Sequence, residues 1–216
     1  MEINAIIFDL NGTVLSDEDE YGIAFGKVLK RLGIIVKEDY PQTTGIGVED
    51  NWPNLIKKYN IKTDKLPQDL ALETQIEYLK LLPRITMQEG FKDFIDGVKE
   101  SGAKVALATS NSWIVTDKIL EKFDLTKTFD IITTCEDVIF NKPDPQIYEI
   151  TLEKLGVHPE NCLVFEDSKS GIAAAQKAGI KVIGIARDSK HAKELSDASK
   201  VIHKFSEINL KVLYNL

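Results

Sequence analysis

The sequence predicts an α/β fold, in which a parallel sheet covered by helices on both faces carries an inserted helical segment. Short β-branched runs alternate with helical patterns along the chain, as they do in βαβ units. Several of these runs are almost entirely apolar, as strands buried on both faces are. Between about Leu15 and Leu82, strand candidates are rare. We therefore expect a core at residues 1–14 and 83–216 and a helical insertion at residues 15–82.

Length and composition are those of an ordinary globular protein, with 216 residues, 43% hydrophobic and 28% charged. The net charge of −7 disfavours nucleic acid as a partner, since no stripe of Lys and Arg offsets it. The stretch MEINAIIFDLNG contains neither a basic leader nor a long apolar run. We expect a cytoplasmic, monomeric protein that binds no membrane, with Cys135 and Cys162 as buried, reduced thiols.

Six runs are typical of strands, and each is followed by a helical pattern or a turn. In chain order they are AIIFDL, KVALATS, FDIITT, CLVFED, KVIGIA and KVIHK. In the insertion, YGIAFGKVLKRLG and LALETQIEYLKLL place apolar residues at intervals of three and four, which is typical of helices. Gly33 is a suitable stop for the first of them. We expect these helices to form a lid hinged over the site.

Three of the apolar strands end in polar residues that can do chemistry. These residues are Asp9, the pair Thr109 and Ser110, and the pair Glu166 and Asp167. In open α/β sheets the ligand crevice lies outside the carboxyl ends of the strands. The three motifs are therefore expected to converge there, although they are far apart in the sequence.

The first motif combines a carboxylate with a tight turn. Asp9 can act as a nucleophile or a metal ligand, and the N–H groups of a turn through Gly12 and Thr13 can hold a phosphate. Thr109 and Ser110 follow the second strand, where a hydroxyl and the amides of a helix N-terminus make an anion site. A simple helix cap by Ser110 or by a nearby serine is the alternative.

The other two motifs supply charge. Lys142 lies in FNKPDPQIYE, where prolines fix the chain, and its ammonium can neutralise a transferring phosphoryl group. Glu166 and Asp167 are adjacent acids at the end of a buried strand, which is costly unless a cation balances them. Oxygen-only ligands beside a phosphate favour Mg²⁺. Ser168 or Ser170 can cap the helix that follows.

Taken together and in order, DLNGT, ATS, NKPDP and FEDSKSGIAAAQKAG resemble the haloacid dehalogenase-like superfamily, and the last two are similar to its β-phosphoglucomutase-like branch. The resemblance implies a doubly wound, Rossmann-like core with a helical cap. It also implies a Mg²⁺-dependent phosphatase that hydrolyses a small, sugar-phosphate-like metabolite through an aspartyl-phosphate. By position, Thr109 and the Ser110 amide would hold the phosphoryl group.

The resemblance also implies roles for the charged residues. Asp9 corresponds to the nucleophile and a magnesium ligand, and Lys142 to the residue that steadies Asp9 and the phosphate. Asp167 corresponds to a magnesium ligand, and Glu166 to a ligand or to a residue that supports one.

Position 11 departs from the family pattern D-x-D-G-T, whose second acid protonates the leaving group and then activates water. Asn11 retains the backbone carbonyl that ligates magnesium in similar enzymes, but its amide cannot transfer a proton. General acid–base groups contribute about 10²–10⁴-fold, so alkyl-phosphate hydrolysis should be impaired. The nearby acids, residues 17–20, are expected to form a solvated first turn of the lid helix that complements the helix dipole.

Four explanations of Asn11 remain open. It can be an introduced substitution that traps substrate, or natural in an enzyme whose substrates have good leaving groups, such as acyl phosphates. The chain can be a non-catalytic module that binds a phosphorylated metabolite. Deamidation of the Asn11-Gly12 dipeptide can also return an aspartate to that position.

Two positions in the insertion favour a phosphatase over a mutase. In TTGIGVEDNW, Val48 stands where mutases similar to β-phosphoglucomutase carry an arginine for the distal phosphate. A neutral side chain offers neither the charge nor the donors for a second phosphate. Gly22 aligns with a histidine of the mutases, and Trp52 is expected to belong to the core of the lid.

Overall fold

The computed structural model describes residues 3–38 and 40–208. Its main element is a six-stranded sheet in the order β5-β4-β1-β6-β7-β8, and all neighbouring strands are parallel. The six predicted runs are the six strands of this sheet, which confirms the α/β assignment. The strands are β1 (Ala5–Phe8), β4 (Lys104–Ala108), β5 (Ile131–Thr133), β6 (Cys162–Glu166), β7 (Lys181–Ile185) and β8 (Lys200–Ile202).

Helices cover both faces of the sheet. They are α1 (Glu18–Arg31), α2 (Val48–Tyr59), α3 (Pro67–Leu79), α4 (Phe91–Glu100), α5 (Trp113–Lys122), α6 (Gln146–Leu155), α7 (Lys169–Lys177) and α8 (Ser189–Glu194). Within the described residues, no helix is both long and apolar enough to cross a membrane.

The alternating side chains of β1 divide the apolar interior into two halves. Ile6 and Phe8 pack on one face, together with the insertion and α4. Ala5 and Ile7 pack on the other face, together with α6 and α7. The ring of Phe8 stacks on that of Phe165 with centroids 5.2 Å apart. This burial on both faces explains the apolar character of the central strands and makes the core doubly wound.

Three helices, α1, α2 and α3, lie between residues 18 and 79, where the sequence predicts helices. The chain leaves the sheet through β2 (Leu15–Ser16) and returns through β3 (Thr86–Met87), and these two short strands pair antiparallel. We call α1, α2 and α3 the helical insertion. Trp52 is fully buried within it, beside Phe25, and donates its indole N–H to the hydroxyl of Thr74 at 3.2 Å. The expectation that Trp52 belongs to this core is confirmed.

The two cysteines differ from each other. Both are free thiols. Cys162 begins β6 and is buried, as expected, whereas Cys135 is only half-buried and lies in a short turn after β5. The expectation of two buried thiols is therefore wrong for Cys135, because β5 ends at Thr133 and leaves Cys135 outside the sheet.

Candidate active site

The polar residues at the strand ends meet at one edge of the sheet. Asp9 lies directly beyond β1, and its backbone N–H donates to the carbonyl of Phe165 at 3.0 Å, which ties it to the end of β6. Asp9, Glu166 and Asp167 are all buried, and each offers a carboxylate oxygen within 4.8 Å of the others. The predicted convergence therefore creates a concentrated negative charge in the interior.

A buried ammonium group lies against two of these acids. The side chain of Lys142 is fully buried, and its Nζ donates to Asp9 Oδ1 and Glu166 Oε1, each at 2.7 Å, and to the carbonyl of Ala108 at 3.0 Å. Burial disfavours its charged form, but the two carboxylates outweigh this and raise the pKa of Lys142 well above its usual range. Lys142 is therefore a permanent cation that holds Asp9 in place.

Both carboxylate oxygens of Glu166 accept hydrogen bonds. Its Oε1 accepts hydrogen bonds from Lys142 and from the hydroxyl of Tyr148 at 2.9 Å. Its Oε2 accepts hydrogen bonds from the backbone N–H and the hydroxyl of Ser168 at 3.1 and 2.9 Å. Ser168 also caps α7, as one of the two predicted serines. A carboxylate has about four acceptor positions, and here each is used. Gly171 allows this close packing, since a Cβ there would lie 1.8 Å from Glu166 Oε1.

One lysine does not neutralise three carboxylates. Burial raises the pKa of Asp9 to about 7, although Lys142 opposes the shift. Burial, together with the neighbouring acids, raises the pKa of Asp167 well above its usual range. Among the described residues, none donates a hydrogen bond to the Asp167 carboxylate or to Asp9 Oδ2. An oxygen-only set with unused acceptors and excess negative charge fits a hard divalent cation.

The side chain of Asn11 is held by three neighbours. Its Nδ2 donates to Asp17 Oδ2 at 2.5 Å and to the Tyr78 hydroxyl at 3.2 Å. Its Oδ1 accepts a hydrogen bond from Asn111 Nδ2 at 2.7 Å, and the Asn111 Oδ1 accepts one from the Tyr21 hydroxyl at 2.6 Å. Tyr21 belongs to α1 and Tyr78 to α3, so the amide of Asn11 lies where the helical insertion meets the core.

Residues 17–20 are not a solvated turn, and this expectation is wrong for Asp17 and Glu20. Both are buried, at 2% and 8% exposure, whereas Asp19 is exposed. Asp17 accepts hydrogen bonds from the Gly12 N–H at 2.9 Å, from Asn11 and from the Tyr78 hydroxyl. Burial raises its pKa to about 6, against the effect of these hydrogen bonds. The physical reason is that the insertion packs over this turn and removes it from water.

A cavity of about 50 Å³ lies between the helical insertion and the core. Asp9 and Asp167 line it from the core, and Tyr21, Gln42 and Val48 line it from the insertion. Across residues 3–38 and 40–208, no lysine, arginine or histidine lines this cavity. Both polar atoms of the Gln42 side chain are buried and have no hydrogen-bond partner among the described residues.

The residues expected to hold phosphate differ in whether they line the cavity. Ser110 lines the cavity, and its buried hydroxyl has no hydrogen-bond partner in the part of the chain that the structure describes. Thr109 and Thr13 are buried behind the cavity, and the Thr109 hydroxyl accepts a hydrogen bond from the backbone of Asn111 at 3.2 Å. The Gly12 N–H donates to Asp17 and is not free for an anion. Gly12 instead permits close approach, since its φ is +73° and a Cβ there would lie 2.0 Å from Asp167 Oδ2.

Several residues around the cavity were not singled out by the sequence. Tyr78, Tyr148 and Asn111 have buried polar groups that hold Asn11, Glu166 or Asp17. Asn111 directly follows the predicted phosphate motif at Thr109 and Ser110, and this position is the sequence signal that could have identified it. Tyr78 and Tyr148 occur at apolar positions of helices, where an aromatic residue indicates only packing. Gly22, aligned with a mutase histidine, does not line the cavity, whereas Tyr21 does.

Comparison with known proteins agrees with this fold. A family model described as haloacid dehalogenase-like hydrolase matches residues 6–185, and the chain belongs to this family. A phosphorylated carbohydrates phosphatase of Thermotoga maritima is 33% identical over 214 residues, which cover 98% of each chain.

Two solved structures of CbbY from Rhodobacter sphaeroides are similar over nearly the whole chain. The first, in complex with phosphate, has a TM-score of 0.88 and 25% identity, and covers 99% of this chain and 100% of that one. The second is an Asp-to-Asn mutant in complex with xylulose-(1,5)bisphosphate, with a TM-score of 0.86, 26% identity and 96% coverage of both chains.

Proposed function

We propose that this protein is a Mg²⁺-dependent phosphatase that hydrolyses a monophosphate of a small, neutral, polyhydroxylated metabolite through an aspartyl-phosphate on Asp9. The observation that carries the proposal is how the two carboxylate oxygens of Asp9 are hydrogen-bonded. Lys142 holds Oδ1, and Oδ2 accepts no hydrogen bond from the residues that the structure describes. Asp9 lines the cavity, so a carboxylate oxygen with a fixed orientation is available to a substrate.

In the first step, Asp9 Oδ2 attacks phosphorus while the ester P–O bond breaks, and the leaving alcohol departs as an alkoxide that takes its proton from water. Water then hydrolyses the acyl phosphate and returns Asp9 and inorganic phosphate. Lys142 remains charged throughout and offsets the negative charge that collects on the phosphoryl oxygens. The Ser110 hydroxyl lines the cavity and provides a donor for the phosphoryl group.

The acidic cluster would hold the magnesium ion. Asp9 and Asp167 have free carboxylate acceptors for it, and the backbone carbonyl of Asn11 is a further candidate ligand. Glu166 has no free acceptor, so its role is to position Lys142. When bound, Mg²⁺ would supply positive charge that screens Asp9 from the incoming phosphate.

Asn11 slows this chemistry wherever the leaving group needs a proton. Its amide nitrogen already donates to Asp17 and Tyr78, and an amide cannot release a proton at neutral pH. Alkyl phosphates, which need their leaving oxygen protonated, are therefore slow substrates, and acyl and aryl phosphates are fast ones. A protein that binds phosphorylated metabolites without hydrolysing them is the alternative that the test below separates.

The cavity lining supports a neutral distal group on the substrate. Val48 lies where a second phosphate would need a cation, and the unpaired amide of Gln42 suits hydroxyl groups. This arrangement favours a phosphatase over a mutase. We further propose that residues 15–82 form a cap on the core of residues 1–14 and 83–216, with its loop resting against the core through the hydrogen bond from the Ser170 hydroxyl to the Thr44 carbonyl at 3.2 Å.

The test measures inorganic phosphate released from acetyl phosphate, p-nitrophenyl phosphate and several sugar monophosphates, with Mg²⁺ and with EDTA. Asp9→Asn serves as the control, since its side chain keeps its size and loses the nucleophile. We expect release from acetyl phosphate and p-nitrophenyl phosphate that requires both Mg²⁺ and Asp9. If the chain binds sugar phosphates in a calorimeter but releases no phosphate from any compound, the binding module is the correct description.

A further inference from the structure

Asn11 and Asp17 form a matched donor and acceptor pair. The two N–H bonds of the Asn11 amide point at Asp17 Oδ2 and at the Tyr78 hydroxyl, while the amide oxygen accepts a hydrogen bond from Asn111. Rotating the amide by half a turn would set its oxygen against the carboxylate of Asp17 and its nitrogen against that of Asn111. The orientation of the amide is therefore fixed by its surroundings.

Asp17 is fixed just as firmly. Its Oδ1 accepts a hydrogen bond from the Gly12 N–H at 2.9 Å, and its Oδ2 accepts from Asn11 and from the Tyr78 hydroxyl. All three partners are donors, and the side chain is buried. Only a side chain with acceptors at both ends satisfies this position while Asn11 is an amide.

We propose that Asp17 is the positioning residue for the side chain at position 11, so that acid–base chemistry at position 11 requires the two side chains to be exchanged together. The inference rests on the proposed phosphatase function and adds a residue to its site. It also indicates that Asn11 is the residue this site is built to hold, because a neighbouring carboxylate complements an amide and opposes a second carboxylate.

Hydrogen-bond polarity decides what each substitution does. Asn11→Asp sets two carboxyl groups 2.5 Å apart, where two ionised carboxylates repel each other and a shared proton is no longer free for the leaving group. While Asn11 and Asn111 keep their present orientations, Asp17→Asn alone sets an amide N–H either against the amide nitrogen of Asn11 or against the N–H of Gly12, and each arrangement leaves two donors facing each other. The double substitution exchanges donor and acceptor. The amide at position 17 accepts from the Gly12 N–H and donates to the carboxylate at position 11, and that carboxylate still accepts from Asn111.

The test compares the two single variants, the double variant Asn11→Asp/Asp17→Asn and the control Asp19→Asn. Asp19 is an exposed acid in the same turn. The first measurement is the thermal midpoint in EDTA. We expect each single variant to lose about 4 °C or more, the double variant to lie within about 2 °C of the parent, and the control to be unchanged. The second is the kcat for a sugar phosphate with Mg²⁺, which we expect to be at least about 10-fold higher in the double variant than in Asn11→Asp, with little change in KM.

The pairing of Asn11 with Asp17 is overturned if the double variant loses as much of the thermal midpoint as the two single variants lose together. It is also overturned if Asn11→Asp alone is as active as the double variant. If the midpoints are non-additive and no variant releases phosphate from any substrate, the pairing stands and the proposed function fails. The thermal measurement therefore separates the two proposals, since it does not depend on turnover.

Discussion

Substituting Lys142→Met tests the electrostatic arrangement of the candidate active site. The side chain of Lys142 has no exposure to solvent and donates to Asp9, Glu166 and the Ala108 carbonyl. Methionine has a similar length and removes the charge and all three donors. Breaking a buried ion pair by removing one partner costs about 3–5 kcal/mol, because the remaining charge is left uncompensated. We expect the free energy of unfolding to fall by about this amount at pH 7.5 in EDTA, with phosphatase activity lost.

Urea unfolding supplies the measurement, and Lys154→Met is the matched control. Lys154 also donates to a carboxylate at 2.8 Å, that of Asp137, but both side chains are about one-third exposed. Such surface pairs contribute about 0–1 kcal/mol, so the control should be nearly neutral. A loss below about 1 kcal/mol for Lys142→Met, or equal losses for the two variants, would refute the assignment of Lys142 as the cation that stabilises this cluster.

Three further predictions follow from the same site. The free energy of unfolding in EDTA should fall by at least about 3 kcal/mol from pH 5 to 8, because the pKa values of Asp9 and Asp17 are raised from 3.8 to about 7 and about 6 and unfolding releases their protons; stability that rises over this range would contradict it. Gln42→Leu should raise KM for a sugar phosphate about 10-fold and leave KM for p-nitrophenyl phosphate nearly unchanged in the same assay, since the buried amide has no partner across residues 3–38 and 40–208. Gly171→Ala should lose about 2 kcal/mol on urea unfolding, because its Cβ would lie 1.8 Å from Glu166 Oε1, whereas Gly26→Ala, with open space around its Cβ, should be neutral or stabilising.

The sequence predicts the sheet and the strand-end motifs because both depend on local patterns. Apolar runs such as CLVFED have the length and composition of strands buried on both faces, and the polar residues that end them are carried to one edge by parallel pairing. The position of Asp9 opposite Glu166 and Asp167 follows from topology alone. Pairing with Lys142 also required the resemblance to a family, since one lysine in a turn has no distinctive pattern.

The burial of Asp17 could not be predicted in this way. Its sequence neighbours are acidic, and a run of acids before a helix indicates a solvated turn. In the structure its carboxylate accepts a hydrogen bond from the hydroxyl of Tyr78, which lies 61 residues further along the chain. A contact of this kind depends on how the helical insertion packs against the core, and neither segment contains a local signal for it.

The hydrogen bonds of Asn11 determine how the rate should depend on the leaving group. In the proposed mechanism Asp9 is the nucleophile and lies beside Lys142 and the acidic cluster, and the missing element is a proton donor for the departing oxygen. Without that donor, the negative charge on the leaving oxygen is not relieved in the transition state, so log kcat should fall steeply as the pKa of the leaving alcohol rises. A series of substituted phenyl phosphates and alkyl phosphates measures this slope directly. We expect a steep slope in this chain and a shallow one in Asn11→Asp/Asp17→Asn, where a carboxyl group can donate. Equal slopes in the two proteins would mean that position 11 does not act on the leaving group.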